Sequence, residues 1–320
     1  MTATTRTAVA ALLALLLAAC NRAPETTSTS VPSGQDPVMG EQVLAKEGVR
    51  LMHVHGLEYS PDGSKILIPS HLGLAVYDRS TSDWSVADGP THDYMGFSAT
   101  KDAIYSSGHP APGSGFVNPF GIIKSRDGGQ TWQKLGFEGE TDFHLLAAGY
   151  ETNSVYVINP HPNSKLKEEG LYYTLNDGFT WERALATGPQ GSPMSLAVHP
   201  TDPRTVAMGT DHGLFLSHDA GTTFQKISSK EASAAFFDLD GQHLWFGLTG
   251  GQSDLVRLNL ENRESTEIAL PQLNKDAVAY IAQNPTDRSE YAVATLQRNV
   301  LLSTDNGQSW KLIAKNGEAS

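Results

Sequence analysis

Two histidines stand one residue apart in the stretch RLMHVHGLEYSPDG, residues 50–63. On an extended chain His53 and His55 share a side, because alternate side chains of a strand point the same way. The same spacing recurs further on. DYMGF holds Asp93 and Met95, DFH holds Asp142 and His144, and SPM holds Ser192 and Met194. Imidazole, carboxylate and thioether together are metal-binding chemistry. Neutral imidazole suits copper, zinc, iron or nickel, and thioether sulfur selects soft ions such as Cu(I). The carboxylates serve either as ligands or as acceptors for the far ring N–H of a ligating histidine. The expected group is His53, His55, Asp93, Met95, Asp142, His144 and Met194, holding a transition metal, with copper favoured over zinc on methionine content alone.

Residues so far apart in sequence meet only if a repeating architecture brings them together, and the chain carries one. SRDGGQTW begins at Ser125, TLNDGFTW at Thr174, SHDAGTTF at Ser217 and STDNGQSW at Ser303. Each has a small hydroxyl residue, Asp or Asn two later, Gly two after that, and an aromatic three further on. The acid or amide bonds its own turn, the Gly permits positive φ, and the aromatic packs beneath the hairpin. Asp127, Asn176 and Asp219 are about one 40–50-residue unit apart, and Asp305 lies two units beyond Asp219. These turns resemble the Asp-box, or BNR repeat, of sialidases and sortilin-type β-propellers. The resemblance implies that Asp127, Trp132, Asn176, Trp181, Asp219, Phe224, Asp305 and Trp310 are structural, joining the two outer strands of a blade.

Units of this length with four apolar strands each are propeller blades. Their first strands read HVHGLEY, DYMGFSA, DFHLLAA, SPMSLAV, SAAFFDL and AVAYIAQ, so the expected fold is an all-β, six-bladed propeller of four-stranded blades within residues 41–320. Pro61, Pro200 and Pro285 set the superposition of blades one, four and six, and the shared apolar spacing sets the others. The equivalent points are then His55, Met95, His144, Met194, Ala235 and Ala279. Two residues earlier stand His53, Asp93, Asp142, Ser192, Ser233 and Ala277. The loop leaving the second strand adds one histidine in each of blades one to four: His71, His109, His161 and His212. Antiparallel neighbours put the end of the second strand level with the start of the first, so these four are expected to rim the same pocket.

The 320-residue chain carries 35 acidic and 23 basic side chains, a net charge of −12. No basic face is available for phosphate, which argues against nucleic acid. An apolar run from Ala8 to Leu16 leads to LAAC, which resembles the bacterial lipoprotein signal. The resemblance implies cleavage after residue 19 and a lipid on Cys20, the chain's one cysteine. Residues 20–40, rich in Thr, Ser and Pro, read as a tether. The chain is thus expected in the extracytoplasmic envelope, held to a membrane by its N-terminal lipid.

Three function classes stay open: a metal-binding propeller, a scaffold for an envelope protein partner, and a glycoside hydrolase. HVHGL, DYMGF, SGHP and DFH resemble a group of bacterial Asp-box proteins classed as glycosyl hydrolase-like, over most of residues 51–225. Asp93 and Asp142 would supply an acid and base pair. Sialidase chemistry is disfavoured, because it needs arginines gripping a carboxylate and none occupies an equivalent axial position. A lipid-anchored Asp-box propeller also resembles the photosystem II assembly factor of cyanobacteria, but the basic patch which that resemblance requires is missing from so acidic a chain.

Overall fold

The computed structural model describes residues 48–249, 254–271 and 276–319. The signal segment, Cys20 and the tether lie outside the described residues. Six antiparallel meanders follow one another along the chain, each a separate sheet. They run over residues 58–86, 93–136, 146–183, 193–228, 232–269 and 278–319. Sequential strands are neighbours throughout, as local turn chemistry dictates.

A single blade exposes two apolar faces, and the core accordingly forms as wedges between neighbours. Leu67, Leu74 and Val76 of blade one meet Tyr94, Phe97 and Phe120 of blade two. Tyr156 and Leu171 of blade three meet Val206, Met208 and Phe215 of blade four. The last wedge joins the ends of the chain: Leu57, Ile66 and Ile68 of blade one pack on Ala292, Val300 and Ile313 of blade six. Each large side chain so buried contributes about 1.5–3 kcal/mol relative to exposure. That closes the ring of six blades expected from the repeat.

The sixth sheet departs from four strands. Its fifth strand, Glu318–Ala319, is bridged in turn by Arg50. Leu51 N–H donates to Gly317 O at 2.7 Å and Ala319 N–H to Val49 O at 3.3 Å. The segment before blade one therefore finishes the edge of blade six. On the opposite flank of this seam Arg79 of blade one pairs with the fully buried Glu290 of blade six, and Trp84 Nε1 donates to Ile313 O at 3.0 Å.

All four repeat turns join the third and fourth strands of their blades. In blade four Ser217 Oγ accepts from Gly221 N–H at 2.9 Å, and Asp219 Oδ1 accepts from Thr223 N–H at 2.8 Å. Blades two, three and six repeat this lattice at Ser125–Asp127, Thr174–Asn176 and Ser303–Asp305. These side chains satisfy backbone donors of the turn, which is the structural role their type implies. Thr223 N–H, then the Thr223 hydroxyl, hold the Asp219 carboxyl down at about 2. Degenerate turns keep the same device. Asp78 Oδ1 caps Ser80 N–H and Thr81 N–H in blade one, and Asn259 Oδ1 caps Glu261 N–H and Asn262 N–H in blade five.

The inner strands correct one alignment. A bulge falls on Met95, Met194 and Ala279 in blades two, four and six, but on Ser233 in blade five. The hydrogen bonds closing each inner turn agree: Thr100 to Ala103, His199 to Thr205, Asp238 to His243, and Asn284 to Glu290. Ser233, not Ala235, is therefore the fifth equivalent point, and Glu231 takes the level of Asp93 and Asp142. Blade five lacks the proline that marks blades one, four and six, and its run of small residues gives no apolar landmark, so the sequence pattern slips there by two residues.

Candidate metal centre at the mouth of the ring

The regular inner strand of blade one is only Glu58–Tyr59, so His53 and His55 stand ahead of the ladder on an extended segment. His55 N–H donates to Pro69 O at 3.1 Å, which docks that segment against the second strand of its own blade. That strand, Lys65–Ser70, ends in a tight turn closed by Ser70 Oγ on Gly73 O at 3.1 Å. His71 sits on the turn, and Gly73 continues it at a φ of +98°, where a side chain would be strained.

The turn carries His71 into the pair. The rings of His53 and His55 lie parallel with centroids 5.8 Å apart, and the His71 ring closes on them edge-first at 4.3 and 4.9 Å. One ring nitrogen from each of the three lies within 4.8 Å of the others. A tetrahedral ion with bonds near 2.0–2.1 Å needs donors roughly 3.3 Å apart. His53 is exposed, while His55 and His71 are half-buried.

Behind the cluster, His71 Nδ1 lies 2.5 Å from Asp93 Oδ1 on the inner strand of blade two. The carboxylate accepts Nδ1–H and leaves Nε2 as the nitrogen with a free lone pair, the arrangement that orients a metal-ligating histidine. Burial, then the neighbouring His71, lowers His55 to about 4 despite the opposing charge of Asp93. Its imidazole is therefore neutral at physiological pH, as a ligand must be. His55 Nε2 is buried and has no hydrogen-bond partner among the described residues. A buried orphaned nitrogen is costly unless something fills the position beside it.

A second constellation forms across blades two and three. Asp142 Oδ2 lies 3.0 Å from His144 Nε2 and 3.4 Å from His109 Nε2, and His109 Nδ1 lies 2.7 Å from Asn118 Oδ1. His55, His144 and Met194 share the wall of a cavity of about 130 Å³ on the ring axis, lined by inner-strand residues of all six blades. Among the described residues its lining contains no arginine. Glu58 faces the same cavity, and its enclosure raises the carboxyl to about 8.

The residues read from the sequence thus divide into groups. His53 and His55 form one cluster, joined by His71, which the sequence placed at the rim. Asp93 stands behind His71. Asp142 pairs with His144 and with His109, another residue expected only at the rim. Met95 is the bulged residue of its strand, and Met194 lines the axial cavity. His161 and His212 lie exposed on their loops and join none of the His/carboxylate groups found among the described residues. The sequence signal for His71 is its place in the two-residue turn between Ser70 and Gly73, which keeps it at the end of the second strand.

A third group among the described residues is Asp238, Asp240 and His243 in blade five. It lies at the far end of that blade, after the inner strand rather than before it. Asp238 already carries Arg257 at 3.1 Å and Tyr291 OH at 2.9 Å. A guanidinium occupies the place a cation would take, so this is an internal ion-pair network.

Both the sequence and the fold of the chain match known proteins. A family profile described as "Sortilin, neurotensin receptor 3", of the Sortilin-Vps10 type, matches residues 121–269. The chain itself folds as a six-bladed β-propeller. A xyloglucanase of Hypocrea jecorina is 31% identical to the propeller over 85 residues, which is 27% of this chain and 9% of that enzyme. The solved structure of the GH74 enzyme of Niastella koreensis superposes with a TM-score of 0.56 at 16% identity, covering 83% of this chain and 46% of the enzyme. The structure described as YCF48 bound to D1 peptide superposes with a TM-score of 0.47 at 19% identity, covering 83% of each chain. The superposed part of the chain spans less than half of the GH74 enzyme, and the aligned 85-residue stretch spans under a tenth of the xyloglucanase. At these identities the structural likeness speaks for the fold.

Proposed function

We propose that this propeller binds a divalent transition metal ion through His53, His55 and His71, with Asp93 positioning His71. Two observations carry the reading: His53, His55 and His71 each bring a ring nitrogen within 4.8 Å of the others, and the buried Nε2 of His55 has no hydrogen-bond partner among the described residues. An all-imidazole donor set suits copper, zinc, iron or nickel. Copper over zinc therefore still rests on the methionines alone. Three protein ligands leave a coordination position free, as in sites where the ion takes a further ligand or is handed on. The net charge of −12 favours cation capture at range. The proposed setting is the extracytoplasmic envelope, with Cys20 lipidated and an envelope protein as the partner that supplies or receives the ion.

Metal analysis of protein purified without chelator, with titration of Zn(II) and Cu(II), tests the reading. The wild type is expected to bind one ion, and His55→Ala and His71→Ala to bind none. Equal metal uptake in all three, or none in the wild type, ends the proposal.

A second reading is supported by the local likeness to a xyloglucanase: a glycoside hydrolase of non-sialidase type using Asp142. Its carboxylate is already engaged by two imidazoles, which favours the first reading. Turnover on a β-glucan and xyloglucan panel that disappears in Asp142→Asn would reverse that order.

A further inference from the structure

The two ends of the ring meet between blades one and six, and the histidine cluster stands beside that junction. Arg50 bridges Glu318, and Leu51 N–H donates to Gly317 O. Leu51 is fully buried in the wedge between the two blades. The next residue is also held from blade six, since Arg298 Nη1 donates to Met52 O at 3.0 Å. His53 follows at once. Between Met52 and the first ladder residue, Glu58, the segment makes a single backbone–backbone hydrogen bond among the described residues, His55 N–H to Pro69 O. The leash joining the closing strand to blade one is thus weakly fixed by its own backbone.

The proposed ligands span that leash. His53 and His55 lie on it, while His71 lies on a closed turn of blade one and is tied through Asp93 to blade two. We infer that metal bound at His53, His55 and His71 acts as a latch on the ring, coupling occupancy of the site to closure of the seam between blades one and six. The inference rests on the metal-binding reading and adds its consequence. An ion crossing from leash to turn removes the freedom of residues 52–57, so docking of residues 49–51 on blade six costs less ordering entropy. The coupling is reciprocal: whatever holds the seam shut tightens metal binding, and the ion tightens the seam.

Two measurements on the full chain test this, with Zn(II) alone as the probe. In hydrogen–deuterium exchange, the amides of Leu51 and His55 should slow by about fivefold or more when Zn(II) is added, and His71→Ala should abolish the slowing. In calorimetry, Arg298→Ala, which removes a seam contact and no ligand, should weaken Zn(II) binding by about fivefold. Zn(II) binding with unchanged exchange at both amides overturns the latch and leaves the binding site standing. Failure of the wild type to bind Zn(II) overturns both. Should Arg298→Ala not fold, the exchange comparison on the wild type decides alone.

Discussion

Asp93 Oδ1 lies 2.5 Å from His71 Nδ1, so a carboxylate on the inner strand of blade two fixes the tautomer of an imidazole on a turn of blade one. The contact bridges two blades and stands directly behind the candidate ligand cluster. Neither residue reaches its partner through local sequence, since 22 positions separate them.

Removing that acceptor should loosen the metal without removing a ligand. Asp93→Asn is expected to weaken Zn(II) affinity about 10–100-fold, the usual effect of losing a histidine-orienting carboxylate. Titration calorimetry on wild type and variant reads this, with near-UV circular dichroism to show that the fold is intact. An unchanged affinity would make Asp93 a bystander.

The metal-free protein should lose stability on both sides of neutral pH. Burial among its neighbours lowers His55 from 6.5 to about 4, and burial alone lowers His92 to about 4. The unfolded chain binds these protons more readily, so stability falls as pH drops from about 6.5 towards 4. Burial raises Glu58 from 4.5 to about 8, so the folded state keeps a proton that the unfolded chain has released, and stability falls as pH rises from about 4.5 through 8. Urea midpoints against pH should therefore flatten on the alkaline side in Glu58→Gln and partly on the acid side in His55→Gln. A Glu58→Gln profile that still falls towards pH 8 would remove Glu58 from this account.

The ion pair at the seam is expected to be costly to break. Glu290 is wholly buried and meets Arg79, so Arg79→Met strands a carboxylate in the interior. Loss of one partner of a buried pair costs about 3–5 kcal/mol, readable in a denaturant midpoint. Adding Glu290→Gln to Arg79→Met should recover part of that loss.

The repeat turns should matter for stability and not for the site. Ser217→Ala leaves the buried Gly221 N–H without its acceptor, a loss of about 1–3 kcal/mol. Metal content should be unchanged, because the turn joins the outer strands of blade four. A drop in metal uptake at equal folding would show that the outer edge and the mouth are coupled.

The fold was legible because its signals are local. The Ser–x–Asp–x–Gly lattice at Ser217 and Asp219 is chemistry within five residues, and its recurrence fixes blade length wherever the turn survives. Blade five shows the limit. Without its turn and its proline, the register had to be read from small residues, and it slipped from Ser233 to Ala235. The candidate site was legible in part for the same reason. His53 with His55 and Asp142 with His144 are neighbours in sequence, so each pair could be found there. The inward place of His71 and the capture of Asp142 by His109 join residues from different strands or blades.

The amino-acid sequence by itself determined the six-fold repeat, the box turns and the end of the ring at which the histidines gather, since period-two alternation and turn chemistry act over a few residues. Only the tertiary structure decided which imidazoles touch, which carboxylate stands behind them, and that residues 49–51 close blade six. Those outcomes depend on how far each blade is rotated against the next and where each inner strand bulges. Both are set by packing between blades, which no single repeat encodes.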